Sequence, residues 1–419
     1  MTRLITEDTA NDGVDRRGFL RCMAWAGTGL AWSMVGGVPR SFLVGDPKAA
    51  KDLFFVQLSD SHMGFDKAAN TDVPGTFAEA IRRINALEGK PAFLLHTGDI
   101  SHLSKPSEFD LVDQMIRDAK TKSGRVFYVP GEHDVFTDAG ASYRARYGKE
   151  TKGNGWYSFD HSGVHFTGLV NVMDLKPGGL GSLGAEQLEW LERDVKGLSA
   201  STPIVVFAHV PLWSVYPEWG WGTDDGAQAL AYLSRFGSVT VLNGHIHQTI
   251  QKIEGHMTFH TALSTGFPQP APGTAAGPGP VDVGADRLRS FLGLASVRFA
   301  ANTGMLSIVD ASLAGTPVAV AGASTARGKP KPLAPIGDTE IAIDNFVFTP
   351  PNRIVVAGTT VTWINRDDVP HRIASFTNAF PLGSILDTDG KSSQKFDTPG
   401  TYKYFCAVHP TMTGIVTVK

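Results

Sequence analysis

Five short apolar runs between Phe54 and Leu242 each end at side chains able to bind a metal, and this repetition constrains the chain more than any other feature. The runs are Phe54-Phe55-Val56, Phe93-Leu94-Leu95, Val126-Phe127-Tyr128-Val129, Ile204-Val205-Val206-Phe207 and Val239-Thr240-Val241-Leu242. Short continuous apolar runs read as strands covered on both faces. Between them, Phe77–Leu87 and Ala185–Val195 have helical spacing, so the region from Leu53 to about Ser312 reads as a layered α/β domain. Asp60 and His62 follow the first run, and Asp99 follows Gly98 after the second. Glu132 and His133 follow Gly131 after the third, His209 follows the fourth, and His245 and His247 follow Gly244 after the fifth. Ligands gather outside the carboxyl ends of strands in open α/β sheets, so five strands would deliver these groups to one place. The preceding glycines allow the tight turns that aim them there.

A mixed set of imidazoles and carboxylates suits two divalent ions of Fe, Mn or Zn better than Ca or Mg. Two such ions ~3.5–4 Å apart can acidify a shared water and clamp the attacking and leaving oxygens of a phosphate ester. Asp60-x-His62, Gly98-Asp99, Gly131-Glu132-His133-Asp134, His209 and Gly244-His245-x-His247 resemble, in order, the motifs of calcineurin-like metallophosphoesterases. The resemblance spans about residues 52–312 and includes Trp156-Tyr157-Ser158-Phe159 and Gln187-x-x-Trp190-Leu191. It implies an α/β/β/α sandwich and a metal-dependent phosphoric ester hydrolase acting on a small-molecule phosphate ester through a metal-bridging hydroxide. Carried over by position, Asp60, His62 and His247 hold the first metal, Asp99 bridges, His209 and His245 hold the second, and His133 is catalytic, facing the phosphate. The family has Asn where this chain has Glu132. A carboxylate can still bind metal, but it adds negative charge where phosphate approaches, a weak lean toward diesters. His96, His102, His161, His165, His256 and His260 are read as structural, with His102, close after Asp99, nearest to an exception. Trp213, Trp219 and Trp221 either wall the pocket or pack beneath a loop.

Residues 268–281, rich in Pro, Gly and Ala, read as a long surface loop, and residues 313–338 as a partly stiff linker. Beyond it the texture changes to short strands, at Ile341–Phe348, Ile354–Val356, Val361–Ile364, Thr401–Phe405 and Ile415–Val418, with no obvious helix. This small β-sandwich, residues 339–419, carries His371, Cys406, His409 and Met412. Two imidazoles, a thiolate and a weak axial thioether are the ligands of a type 1 copper site, which holds one copper ion. That set leaves no open position for a substrate. Phe396-Asp397-Thr398-Pro399-Gly400-Thr401-Tyr402-x-Tyr404-x-Cys406 resembles the cupredoxins, and the compact Cys-x-x-His-x-x-Met loop is most similar to amicyanin. The resemblance implies an all-β Greek-key sandwich that transfers electrons to a periplasmic redox partner.

The chain has two cysteines, Cys22 and Cys406. If Cys22 leaves with a targeting segment, Cys406 has no internal partner, as a copper ligand requires. Residues 1–50 fit such a segment: Arg16-Arg17 before Phe19-Leu20, then a weakly apolar run from Met23 to Val38, resemble a twin-arginine signal and imply a periplasmic location. That run is shorter than a membrane span needs, so no permanent span is expected, and cleavage is placed near Ala49-Ala50. A net charge of -3 gives no basic face for nucleic acid. The fusion suggests a hydrolase with a redox appendage. The alternative is an electron-transfer or copper-handling protein whose phosphoesterase-like half serves mainly binding.

Overall fold

The computed structural model describes residues 30–35, 38–43, 52–176, 179–301, 305–315, 336–409 and 412–419. Most of the export-signal reading and of the linker reading lies outside these residues. Within the N-terminal segment, β1 (Leu30–Val35) pairs antiparallel with β2 (Val38–Leu43). Among the described residues, no helix is long and apolar enough to cross a membrane.

Two sheets form the larger domain. One joins β3 (Leu53–Leu58), β4 (Leu94–His96) and β5 (Val126–Tyr128) in parallel, with β12 (Gly293–Ala300) and β13 (Met305–Ser312) added antiparallel beyond β3. The other runs β10 (Gln251–Glu254), β11 (Met257–Thr261), β9 (Val239–Asn243), β8 (Ile204–Phe207), β7 (Val164–Gly168), β6 (Tyr157–His161). Its four inner strands are parallel. Successive side chains of a strand point to opposite faces, and here both faces are covered. Phe55 joins Phe93, Phe166, Phe207 and Val297 in the core between the sheets. Phe54, Val56 and Leu58 face instead the apolar sides of the helices Val73–Ala86, Pro106–Ile116 and Ala285–Phe291. The outer face of the second sheet is covered by the helices Ala185–Lys196 and Gly226–Leu233. The result is the expected α/β/β/α sandwich, and both helical stretches read from spacing are helices. The metal-binding residues follow strands of both sheets, so the site forms where the two sheets meet along one edge.

The smaller domain is a β-sandwich. One sheet runs β15 (Val347–Thr349), β14 (Glu340–Asp344), β17 (Thr359–Asn365), β20 (Lys391–Phe396). The other runs β16 (Asn352–Val355), β22 (Thr413–Val418), β21 (Gly400–Cys406), β18 (His371–Ser375), β19 (Ile385–Leu386). Trp363, Tyr404, Phe348 and Phe396 fill its core. The expected single strand Ile341–Phe348 is two strands, because Asn345 and Phe346 both have positive φ and turn the chain back on itself. The segment 268–281 is the expected long loop, exposed at residues 272–274 and 276 but not a surface loop throughout. Gly277 and Gly279 are buried, and the ring of Phe346 packs so closely on Gly277 that no side chain would fit there. It is a loop between the two domains.

Candidate metal centres

The strand ends deliver their side chains through unusual backbone. Asp60, His62, Asp99, His245 and His247 all have positive φ, between 43° and 72°. For non-glycine residues that region is sparsely allowed and costs on the order of 1–3 kcal/mol each. Hydrogen bonds hold the turns in place. Asp60 N–H donates to Gly98 O (2.9 Å) and His62 N–H to Asp99 O (2.8 Å), tying the first two motif loops together. Asp134 clamps a third loop to them: its carboxylate accepts from the backbone N–H groups of Ile100 (3.1 Å), Ser101 (2.8 Å) and Gly131 (3.0 Å). Gly98 combines φ +97° with the approach of the His209 ring, and Gly244 lies against Ser59 and Asp60 where no side chain fits.

All seven expected ligands converge in two groups. Asp60, His62 and His247 form one, with His247 Nε2 3.2 Å from both Asp60 Oδ1 and His62 Nε2. Glu132, His209 and His245 form the other, with Glu132 Oε2 3.0 Å from His209 Nε2 and Oε1 3.0 Å from His245 Nδ1. Asp99 Oδ2 lies between them, 3.4 Å from His62 Nε2 and 3.4 Å from His209 Nε2.

The donor set fits two cations. Glu132 Oε2, His209 Nε2 and His245 Nδ1 are buried and close together, and among the described residues they find no hydrogen-bond partner outside this cluster. Ring orientation agrees: His209 Nδ1–H donates to Thr97 O (2.7 Å) and His247 Nδ1–H to Phe267 O (2.6 Å). Each bond leaves the Nε2 lone pair facing the site, the usual arrangement behind a metal-binding imidazole. Burial and the neighbouring Glu132 carboxylate push Asp99 well above the ordinary carboxyl range. Burial also opposes the Glu132 charge, yet His245 and His209 hold that carboxyl well below its usual value. Three buried carboxylates so close together need positive charge among them.

His133 Nδ1–H donates to His102 O (2.8 Å), leaving Nε2 as its free ring nitrogen, and burial pushes its pKa down to about 4. His102, the anticipated exception, stands behind the site, with Nδ1 3.4 Å from His62 Nδ1. Of the other histidines, His96 meets Ser61 Oγ (2.9 Å), His165 pairs with Asp160 and Asp194, and His260 pairs with Asp310. A cavity of about 250 Å³ opens over the metal-binding residues, lined by Asp99, Glu132, His133, Trp219 and Trp221 on one side and by Phe346 and His409 on the other. Trp219 and Trp221 therefore wall it, whereas Trp213 packs in the core against Phe259.

In the sandwich, His371 Nδ1 and His409 Nδ1 lie 3.5 and 3.8 Å from Cys406 Sγ and 3.2 Å from each other. Met412 is buried in the sandwich core together with Cys406. Cys406 is a buried free thiol. Two backbone groups donate to its sulfur, Arg372 N–H (3.5 Å) and His409 N–H (3.4 Å). Burial works against a thiolate, but His371 and these donors lower the Cys406 pKa. His371 Nε2–H donates to Asp367 Oδ2 (2.9 Å), which turns Nδ1 toward the sulfur. This set fits copper. Asp134, Asp367, Phe346 and Arg372 were not singled out from sequence as working residues. Asp134 alone had a signal, as the last residue of its motif.

These two donor sets, on these two folds, define a metallophosphoesterase domain followed by a cupredoxin domain. The family description Calcineurin-like phosphoesterase matches residues 55–249, and that of copper binding proteins of the plastocyanin/azurin family matches residues 336–419. The chain belongs, through its C-terminal domain, to the plastocyanin/azurin family of copper binding proteins, and its larger domain carries the match to the calcineurin-like phosphoesterases. It is 37% identical over 91 residues to amicyanin-alpha of Methylorubrum extorquens, covering 20% of this chain and 76% of that protein. It is 25% identical over 223 residues to serine/threonine-protein phosphatase CPPED1 of Danio rerio, covering 46% of this chain and 70% of that protein. Among solved structures, a purple cupredoxin from Nitrosopumilus maritimus is 34% identical, covering 19% of this chain and 99% of that one at a TM-score of 0.19.

Proposed function

We propose that the chain is an exported enzyme that hydrolyses small phosphate esters, with a preference for diesters, and that its copper domain transfers electrons. The observation that carries the hydrolytic reading is the position of Asp99, one carboxylate oxygen equidistant from the imidazoles of two otherwise separate donor groups. Asp60, His62 and His247 would hold one divalent ion, and Glu132, His209 and His245 the other. When bound, such a pair supplies Lewis acidity toward the phosphoryl oxygens and acidifies the attacking water. His133, with Nε2 free, would face the phosphate, where it would stabilise the developing charge or protonate the leaving oxygen. Glu132 braces His209 and His245 and lowers the positive charge offered to the substrate. His371, Cys406, His409 and Met412 would hold one copper ion. The paired Arg16 and Arg17 support export to the periplasm.

The test uses mature protein loaded separately with Mn, Fe or Zn and assayed on a generic phosphomonoester and phosphodiester. Asp99→Asn runs beside it. Turnover that disappears in the variant supports the reading, and occupied sites without turnover on either ester sink it. A second reading, a copper-handling protein whose larger domain only binds, draws on the presence of His409 in the cavity wall.

A further inference from the structure

The two metal-binding sets do not sit on independent domains that happen to share a chain. The cavity above the larger site is closed by Phe346, Val369, Val408 and His409 of the sandwich. His409 is the copper-site imidazole on that surface, and its ring packs against Phe346 with centroids 4.9 Å apart. A second connection runs through bonds. Arg372 N–H donates to Cys406 Sγ, and the side chain of the same arginine reaches across the domain boundary to Phe136 O (2.9 Å). Phe136 N–H donates to Ser104 Oγ (3.1 Å), and that hydroxyl donates in turn to His133 O (2.6 Å). His133 N–H then donates to Asp99 Oδ1 (2.9 Å), the carboxylate shared by both donor groups. The Phe136 ring lies 4.7 Å from the His133 ring and packs on the sandwich core. Lys67 and Asp387 face each other over the same boundary at 3.9 Å.

We propose that the cupredoxin is docked as the built-in redox partner of the metal pair, and that one electron moves between copper and the pair by way of Arg372 and Phe136, alongside the His409 edge. Arg372 is a positioning residue: it fixes the sulfur with its backbone and the neighbouring domain with its side chain. In the elementary step copper(I) becomes copper(II) while one ferric ion of an iron pair becomes ferrous, or the reverse, and no bond to a substrate changes. This rests on the two-metal reading above, and it goes beyond it by naming the partner of that site.

The experiment uses the full chain with copper in the sandwich and iron in the pair. In one arm a flash-generated one-electron reductant reduces copper against a ferric–ferrous pair. In the other, ferricyanide oxidises copper against a diferrous pair. The blue thiolate–copper absorption and the iron signals are followed together. The expected result, in one arm, is a first-order return of copper to its starting state, independent of protein concentration and matched by the iron change. Redox-inert zinc in the pair abolishes it. Arg372→Gln, with its blue absorption first shown intact, slows it at least ten-fold. Phe346→Ala provides the same comparison should Arg372→Gln lose copper. No return in either arm, the same return with zinc, or a rate proportional to protein concentration overturns the proposal. An unchanged rate in the variants overturns the route. Phosphoesterase turnover of the zinc-loaded protein is measured separately. A hydrolase without electron exchange sinks only this inference, and exchange without hydrolysis sinks only the hydrolytic reading.

Discussion

Replacing Glu132 with Gln removes one charge from the metal-binding set while keeping its length and an oxygen donor. The three carboxylates Asp60, Asp99 and Glu132 against two divalent ions leave one net positive charge, and an amide at 132 leaves two. With an effective dielectric of ~20 and a phosphoryl group ~6 Å from residue 132, the added charge favours each phosphate charge by ~3 kcal/mol. A monoester dianion gains this twice and a diester monoanion once, so the difference between them is also ~3 kcal/mol at most. The cavity is open to water, and screening leaves about half of that, on the order of a ten-fold change in preference. The assay is kcat/KM for a matched phosphomonoester and phosphodiester, with metal content measured in each preparation. The monoester-to-diester ratio is expected to rise about ten-fold in Glu132→Gln. With both metals bound, an unchanged ratio, or one that moves toward the diester, would refute the charge argument and leave Glu132 as a brace alone.

Asp134→Ala strands the buried N–H groups of Ile100, Ser101 and Gly131, each lost acceptor costing about 1–3 kcal/mol. Thermal unfolding should show a large loss of stability, with Asp134→Asn milder because it keeps one acceptor oxygen. Asp367→Asn weakens the orientation of His371, and copper titration should show affinity lower by about 10–100-fold. His165 sits between Asp160 and Asp194; burial opposes its charge, but the two carboxylates raise its pKa on balance. Its stabilising contribution is therefore full below the unfolded histidine value and fades as pH rises through the folded one. The melting-temperature gap between wild type and His165→Gln should be widest below the ordinary histidine pKa of ~6.5 and narrow as pH rises beyond it.

What could be read from the sequence was what is local in it. Each larger-domain ligand follows its own strand within a few residues, so run, turn and ligand appear together, and all seven come together in the fold. The copper residues Cys406, His409 and Met412 lie within one loop for the same reason. Ring orientation was not legible, because the carbonyls that fix His209 and His247 belong to Thr97 and Phe267, distant in the chain. The division into two sheets was not legible either, since a buried strand reads alike in one sheet or two. The docking of the domains was the least visible feature. It depends on a turn at Asn345-Phe346 that the apolar run conceals, and on a Gly/Pro-rich loop whose composition says surface but whose Gly277 lies beneath Phe346. Arg372 illustrates the difficulty most sharply. A lone arginine after a copper-binding histidine looks like a solvated strand residue, yet its side chain spans the boundary to the Phe136 carbonyl. Two sites read separately from the sequence thus share one cavity through residues that carry no motif. A substitution at that boundary is accordingly the perturbation most able to separate the chemistry of one site from that of the other.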